Sequence, residues 1–347
     1  MEIKGDLCHQ LLMNKKPKLS FDENNDYSTW KNAIKEKFIE LVGIDNIEKN
    51  ACPLNIQIES EEEKDGYKQI RFVFESEKGA FVPCYLLIPD TGKEKYSVAI
   101  TLQGHSSGFH NSVGIVKYEG DAEYQTRGQF AVQAVKNGFI ALAIEQRGMG
   151  ERRPRGYHQE MAQMCEYTAH IALLLGRTIL GERMWDVSKA IDALAHFPQC
   201  DLDRILITGN SGGGTMSFYA SCYDERIKLS VPSCAFCTYE DSIMNWYHCS
   251  CNFIPHAYEW FEMQDLSCLI EPRILKIIAG QEDGIFPLYG VKRGYETVEK
   301  IYKKANAKDR CALIETPKGH WWCEDIVWTA IKEEAEKLGW NEGYFRK

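Results

Sequence analysis

The sequence predicts an α/β fold: a mostly parallel sheet with helices on both faces. Two observations carry this. From about residue 98 onward, short apolar runs alternate with segments of helical period. Strands buried on both faces and joined by crossover helices produce that pattern. The earlier apolar runs follow one another with no helical segment between them, which predicts an antiparallel edge on the N-terminal side.

Taken in order, residues 1 to about 50 read as helix and loop. Asp26, Tyr27 and Ser28 mark a helix start, and Trp30, Ile34, Phe38 and Leu41 follow at helical spacing. Strand character appears at 54–59, 67–75 and 81–88, the last ending at Pro89. The later strands are expected at 98–102, 139–144, 205–208, 229–232, 274–279 and 312–315. Helical period covers segments such as 128–137 and 181–197. In the latter, Met184, Val187, Ile191 and Leu194 share one face.

Composition excludes several classes of function. Hydrophobic residues make up 44% of the 347, enough for a sizeable core. The formal net charge is -9 and Lys and Arg form no cluster, so neither nucleic acid nor an anionic membrane surface is an expected partner. No apolar run approaches the roughly 20 residues that span a bilayer. The first twenty residues show no apolar core or cleavage site of a secretion signal, so a cytoplasmic location is expected. The 13 cysteines are odd in number and form no framework, which fits reduced thiols.

The chemistry begins after the 205–208 strand, at Gly209-Asn210-Ser211-Gly212-Gly213-Gly214. This is a G-x-S-x-G turn ahead of a helix-compatible segment. A serine on so tight a turn needs neighbours without clashing Cβ atoms, and the helix N-terminus favours negative charge beside it. Ser211 is therefore the candidate nucleophile. Gly104-His105-Ser106-Ser107-Gly108 matches the same pattern, but no helix start follows. In this arrangement an acid and then a histidine come later in the chain. Asp283, in the loop after the 274–279 strand, is the candidate acid, with Glu282 its neighbouring competitor. His320, after the last strand, is the candidate base, since imidazole can both take and return a proton near neutral pH. The oxyanion donors are expected to be the backbone N–H groups of Gly212 and of His105, which recasts Gly104–Gly108 as an oxyanion loop.

Glu145 ends a strand and is a candidate substrate-binding residue. Arg147 beside it reads as a turn pinned by an ion pair. Trp246, Trp321 and Trp322, together with Trp260, offer a sugar-stacking wall, though core packing explains them nearly as well. His248, Cys249, Cys251 and His256 have zinc-ligand chemistry, but their spacing matches no standard finger. The segment reads as a cap with reduced cysteines, and neither metal nor cofactor is expected.

These residues resemble the acetyl-xylan-esterase-like branch of the α/β-hydrolase superfamily, near the cephalosporin-C-deacetylase and dienelactone-hydrolase groups. The resemblance runs from about Val98 to His320. It includes Gly104-His105, the stretch from Arg147 to Gly150, that from Gly176 to Asp186, Gly209 to Gly213, Asn252 to Pro255, Leu269 to Arg273, Asp283 and His320. The oxyanion loop and elbow differ in detail from the His-Gly-Tyr and Gly-Gly-Ser-Gln-Gly-Gly common among its deacetylases. The resemblance implies an α/β-hydrolase fold and a small ester substrate, with an acetylated oligosaccharide among the candidates. The expected division is an N-terminal helical and β extension over 1–75 and a catalytic domain over 76–347, with a cap-like segment at about 236–268. The same triad would serve an amide or peptide hydrolase, and a degenerate scaffold would serve a binding protein.

Overall fold

In the computed structural model, which describes residues 6–154 and 165–340, the apolar runs form one nine-stranded sheet. Its strands are β1 Gln57–Lys64, β2 Tyr67–Glu77, β3 Ala80–Pro89, β4 Tyr96–Leu102, β5 Ile140–Ile144, β6 Cys200–Asn210, β7 Ile227–Ser233, β8 Ile274–Gly280 and β9 Cys311–Thr316. The spatial order is β1-β2-β3-β5-β4-β6-β7-β8-β9. β1, β2, β3 and β5 pair antiparallel, and every pair from β5 to β9 is parallel. The mixed edge and the parallel body both follow the sequence reading.

Two apolar layers cover the sheet. On one face, helix Tyr27–Val42 buries Trp30, Ile34, Phe38 and Val42 beside helix Ile179–Leu194. On the other, Phe130, Phe139, Trp322 and Trp328 pack around helices Phe130–Lys136 and Glu324–Lys337. Among the described residues no helix is long and apolar enough to cross a membrane.

Two element boundaries moved, each for a local reason. The first strand overlaps the 54–59 run but is shifted toward the C-terminus. β1 starts at Gln57 and runs through Glu61, Glu62 and Glu63 with every residue exposed. An edge strand is held by backbone hydrogen bonds on one side only, and charge there discourages pairing with another chain. The helix expected at 181–197 starts at Ile179, because the Thr178 hydroxyl accepts the Gly181 N–H at 2.9 Å. The division at residue 75 falls inside β2, which pairs with β3 from Tyr67 to Glu77, so the strands of the 1–75 segment continue the main sheet. The 236–268 segment is the connection between β7 and β8.

A buried ion network ties the antiparallel edge to the helical layer. Asp186 receives Arg147 through two bonds of 2.9 Å, Arg152 at 2.6 Å and the Ser76 hydroxyl at 2.6 Å. Glu77 pairs with Arg147 at 2.7 Å and with Arg177, which also meets Glu182 at 2.9 Å. Arg147 is thus the pinned turn its sequence context suggested. Burial pushes the Asp186 carboxyl up, but the two guanidinium groups outweigh it and hold the group well below its ordinary range. Removing one partner of a buried pair strands the other charge. Asp186→Ala is therefore expected to cost about 3–5 kcal/mol, read from the urea midpoint at constant slope.

Candidate active site

The chain reverses its direction of travel across the sheet between β4 and β6. After β4 it moves outward to β5, and after β6 it moves the other way to β7. In an open α/β sheet the crevice beyond the carboxyl ends at such a switch point receives ligands. The loops that follow these two strands carry His105 and Ser211.

Ser211 is the single residue between β6 and helix Gly212–Tyr223, at φ 56° and ψ -123°. Few residues with a Cβ adopt this conformation, and it concentrates at functional sites. The turn is fixed by the Ser211 N–H bonding Ser233 O at 2.9 Å and by Thr215 N–H bonding Ser211 O at 2.8 Å. Its glycines are needed for space. A Cβ on Gly209 would lie 2.2 Å from Leu102 O, one on Gly213 1.9 Å from the same oxygen, and one on Gly214 2.4 Å from Ser233 O. The second serine motif has a different role. A Cβ on Gly104 would meet Asn210 O at 2.9 Å and the Ser211 Cβ at 3.1 Å, so this loop lies against the elbow.

Asp283 and His320 come from the loops after β8 and β9. These loops touch closely, since a Cβ on Gly280 would sit 2.1 Å from Gly319 O. His320 Nδ1 lies 2.9 Å from Asp283 Oδ2. The other carboxylate oxygen accepts the N–H groups of Ile285 at 2.8 Å and Phe286 at 3.0 Å. Burial pushes Asp283 up. The hydrogen bond and charge of His320 and the two N–H groups outweigh it and leave the carboxyl below its ordinary value. A carboxylate facing Nδ1 keeps the proton on that nitrogen and leaves Nε2 to accept. The Phe286 ring stacks on the imidazole, with 6.0 Å between centroids and 15° between planes.

Ser211, His320 and His105 line a cleft with two lobes. One, of about 620 Å³, is walled by Tyr124, Arg127, Phe130 and Trp322. The other, of about 980 Å³, is walled by Thr215, His248, Ile285 and Phe286. Gly212 lines the second lobe, and the His105 ring lies 3.4 Å from where its Cβ would be.

The expected substrate-binding residues divide. Trp322 lines the first lobe, where its indole N–H bonds Gln133 at 2.9 Å. Trp246 and Trp321 line neither lobe. Trp246 is exposed, and Trp321 lies under Arg127 at 4.7 Å and Lys318 at 4.9 Å. The stacking wall is not formed. Glu145 does not reach the cleft either. It is fully buried, accepts the N–H groups of Phe109 and Glu151, and presses against Gly150, where a Cβ would come within 1.9 Å. Burial pushes its carboxyl up to about 7, against the pull of those N–H groups. Glu145 thus braces the loop after β4 from behind, through Gln103 and the Phe109 N–H.

Sequence reasoning missed Tyr124, Arg127 and the cleft position of His248. Tyr124 lies in the short 3₁₀ helix Glu119–Thr126 and Arg127 ends it, and no sequence motif marks this segment. His248 reads in the sequence as part of a cap segment with zinc-ligand chemistry, and nothing there marks it as a cleft residue. In the structure its Nε2 meets the Ser242 hydroxyl at 3.0 Å, and that hydroxyl donates to Ile285 O at 2.7 Å. Burial, aided by nearby His320, pulls His248 down to about 4, so it is neutral at pH 7. His256 is exposed, 3.7 Å from Glu259.

Comparison with known proteins agrees with this architecture. The model of the Abhydrolase family matches residues 3–318. "Putative hydrolase YtaP" of Bacillus subtilis (strain 168) is 25% identical over 241 residues, covering 69% of this chain and 77% of that protein. Among solved structures, a "putative acetyl xylan esterase" from Bacteroides fragilis NCTC 9343 superposes with a TM-score of 0.76 at 16% identity, covering 96% of both chains. A glucuronoyl esterase from Solibacter usitatus gives 0.64 at 13% identity, covering 92% of this chain and 96% of that one. An acetyl xylan esterase from Paenibacillus sp. R4 gives 0.56 at 17%, covering 95% and 98%. At such identities the structural likeness is one of fold. With the family model spanning most of its length, the chain belongs to the Abhydrolase family and carries an α/β-hydrolase fold.

Proposed function

We propose that the protein is a serine carboxylic-ester hydrolase that deacetylates a carbohydrate or another small acetyl ester. The observation that carries this reading is a serine held at a strained elbow in a cleft it shares with a histidine bonded to a buried carboxylate. His320 Nε2 takes the Ser211 proton as Oγ attacks the ester carbonyl. The N–H groups of Gly212 and His105 receive the oxyanion. The imidazolium, stabilised by Asp283, protonates the leaving alcohol. His320 then deprotonates a water that releases the acid and restores Ser211. No step calls for a cofactor.

The two lobes give the acyl group and the alcohol separate space on either side of Ser211. Segment 236–268 acts as the cap and supplies His248. The solved neighbours bear the names acetyl xylan esterase and glucuronoyl esterase, which favours a sugar ester. The free cysteines favour a cytoplasmic setting, where short oligosaccharides rather than polymer are at hand.

The test is a substrate panel of p-nitrophenyl acetate, acetylated xylo-oligosaccharides and aminoacyl p-nitroanilides. Higher kcat/KM on the acetyl esters than on the anilides is expected. A preference for the anilides would make the protein an amide or peptide hydrolase. Turnover of none would favour a binding protein on a hydrolase scaffold.

A further inference from the structure

We propose that His105, Cys165, Cys249 and Cys251 form a closed tetrahedral site for a divalent metal ion of the zinc class. One ligand atom from each lies within 4.8 Å of all the others. The His105 Nε2 is 3.5 Å from the Sγ of Cys165 and 3.5 Å from that of Cys251. Tetrahedral bonds of about 2.3 Å to sulfur and about 2.0–2.1 Å to nitrogen place those atoms about 3.5 Å apart. All three cysteines are free thiols, so no disulfide claims them.

Charge supports the same assignment. Arg183 is buried, and its guanidinium lies 3.0 Å from Cys165 Sγ. A buried cation against neutral thiols is costly. Three thiolates, one divalent ion and one guanidinium sum to zero. Asn252, next to the cysteine pair, reaches Cys249 O at 3.4 Å and so supports the turn that presents both sulfurs.

The four ligands come from three distant stretches, with His105 lying 60 residues before Cys165 and 146 before Cys251. This is why the 248–256 segment alone matched no finger. Only its two cysteines are ligands, while its two histidines face Ser242 and Glu259. A closed set leaves no open coordination position, so the ion is structural. It clamps the oxyanion loop, the start of helix Cys165–Leu174 and the cap. If the esterase reading holds, it also positions the His105 N–H.

The test reads metal without turnover, so its outcome is independent of that reading. Protein purified under reducing conditions without chelator is expected to carry stoichiometric zinc by mass spectrometry of metals. Replacement with cobalt(II) is expected to give thiolate-to-metal charge-transfer absorption. Cys165→Ser and Cys249→Ser should each lose the cobalt absorption, whereas Cys52→Ser should keep it. The wild-type spectrum suffices should a ligand variant fail to fold. Reduced wild-type protein that holds no zinc and gives no thiolate-to-cobalt band overturns the proposal.

Discussion

Ser211→Ala is expected to lower kcat on p-nitrophenyl acetate by about 10⁶-fold, the loss seen when a triad nucleophile is removed. That corresponds to about 8 kcal/mol of lost transition-state stabilisation. The substitution removes the attacking oxygen and little else. Alanine keeps the Cβ, so the backbone strain at φ 56° is unchanged, and the two bonds that set the turn use backbone atoms only. Thermal stability should therefore stay close to that of the parent. Steady-state kinetics and a melting curve on one preparation check both halves. A variant that melts normally and still turns over at the parental rate would remove Ser211 from the mechanism.

Asp283→Asn is expected to lower kcat by about 10⁴-fold, through the histidine's proton rather than its position. Oδ1 of Asp283 accepts two N–H groups, from Ile285 and Phe286, and an oxygen must stay there. The amide nitrogen of asparagine then faces His320 Nδ1 and donates to it. Nδ1 becomes the acceptor, the ring proton moves to Nε2, and the base has nothing with which to take the serine proton. The change also alters the pH dependence of stability. Asp283 has a folded value below its unfolded one, so its contribution is present above the ordinary carboxylate range and is lost as pH falls through the folded value. The asparagine variant should lack that part of the acid limb. Urea unfolding at several pH values, beside kcat, separates the two effects.

How much of this was readable beforehand depends on how far apart the interacting residues lie in the chain. The elbow was legible because its demands are local. Gly209, Gly213 and Gly214 each answer a backbone oxygen that would otherwise be struck. Asp283 and His320 were reachable through chain order, since each follows a strand of the parallel half. Beyond Tyr124, Arg127 and His248, three further things escaped. β1 is polar because one-sided backbone pairing asks nothing of its side chains. Glu145 directly follows β5, a position from which a carboxylate can reach a ligand, yet Gly150 and two N–H groups enclose it. The gathering of His105 with Cys165, Cys249 and Cys251 depends on two loops meeting the start of helix Cys165–Leu174, and no window of sequence contains it.

The most direct measurement is covalent labelling with a fluorophosphonate, followed by peptide mapping of the adduct. It asks which hydroxyl the fold has made nucleophilic. The expected result is a single adduct on Ser211 with concurrent loss of turnover, and no adduct in the Ser211→Ala protein. An adduct on another residue, or full esterase turnover with Ser211 unlabelled, would contradict the account.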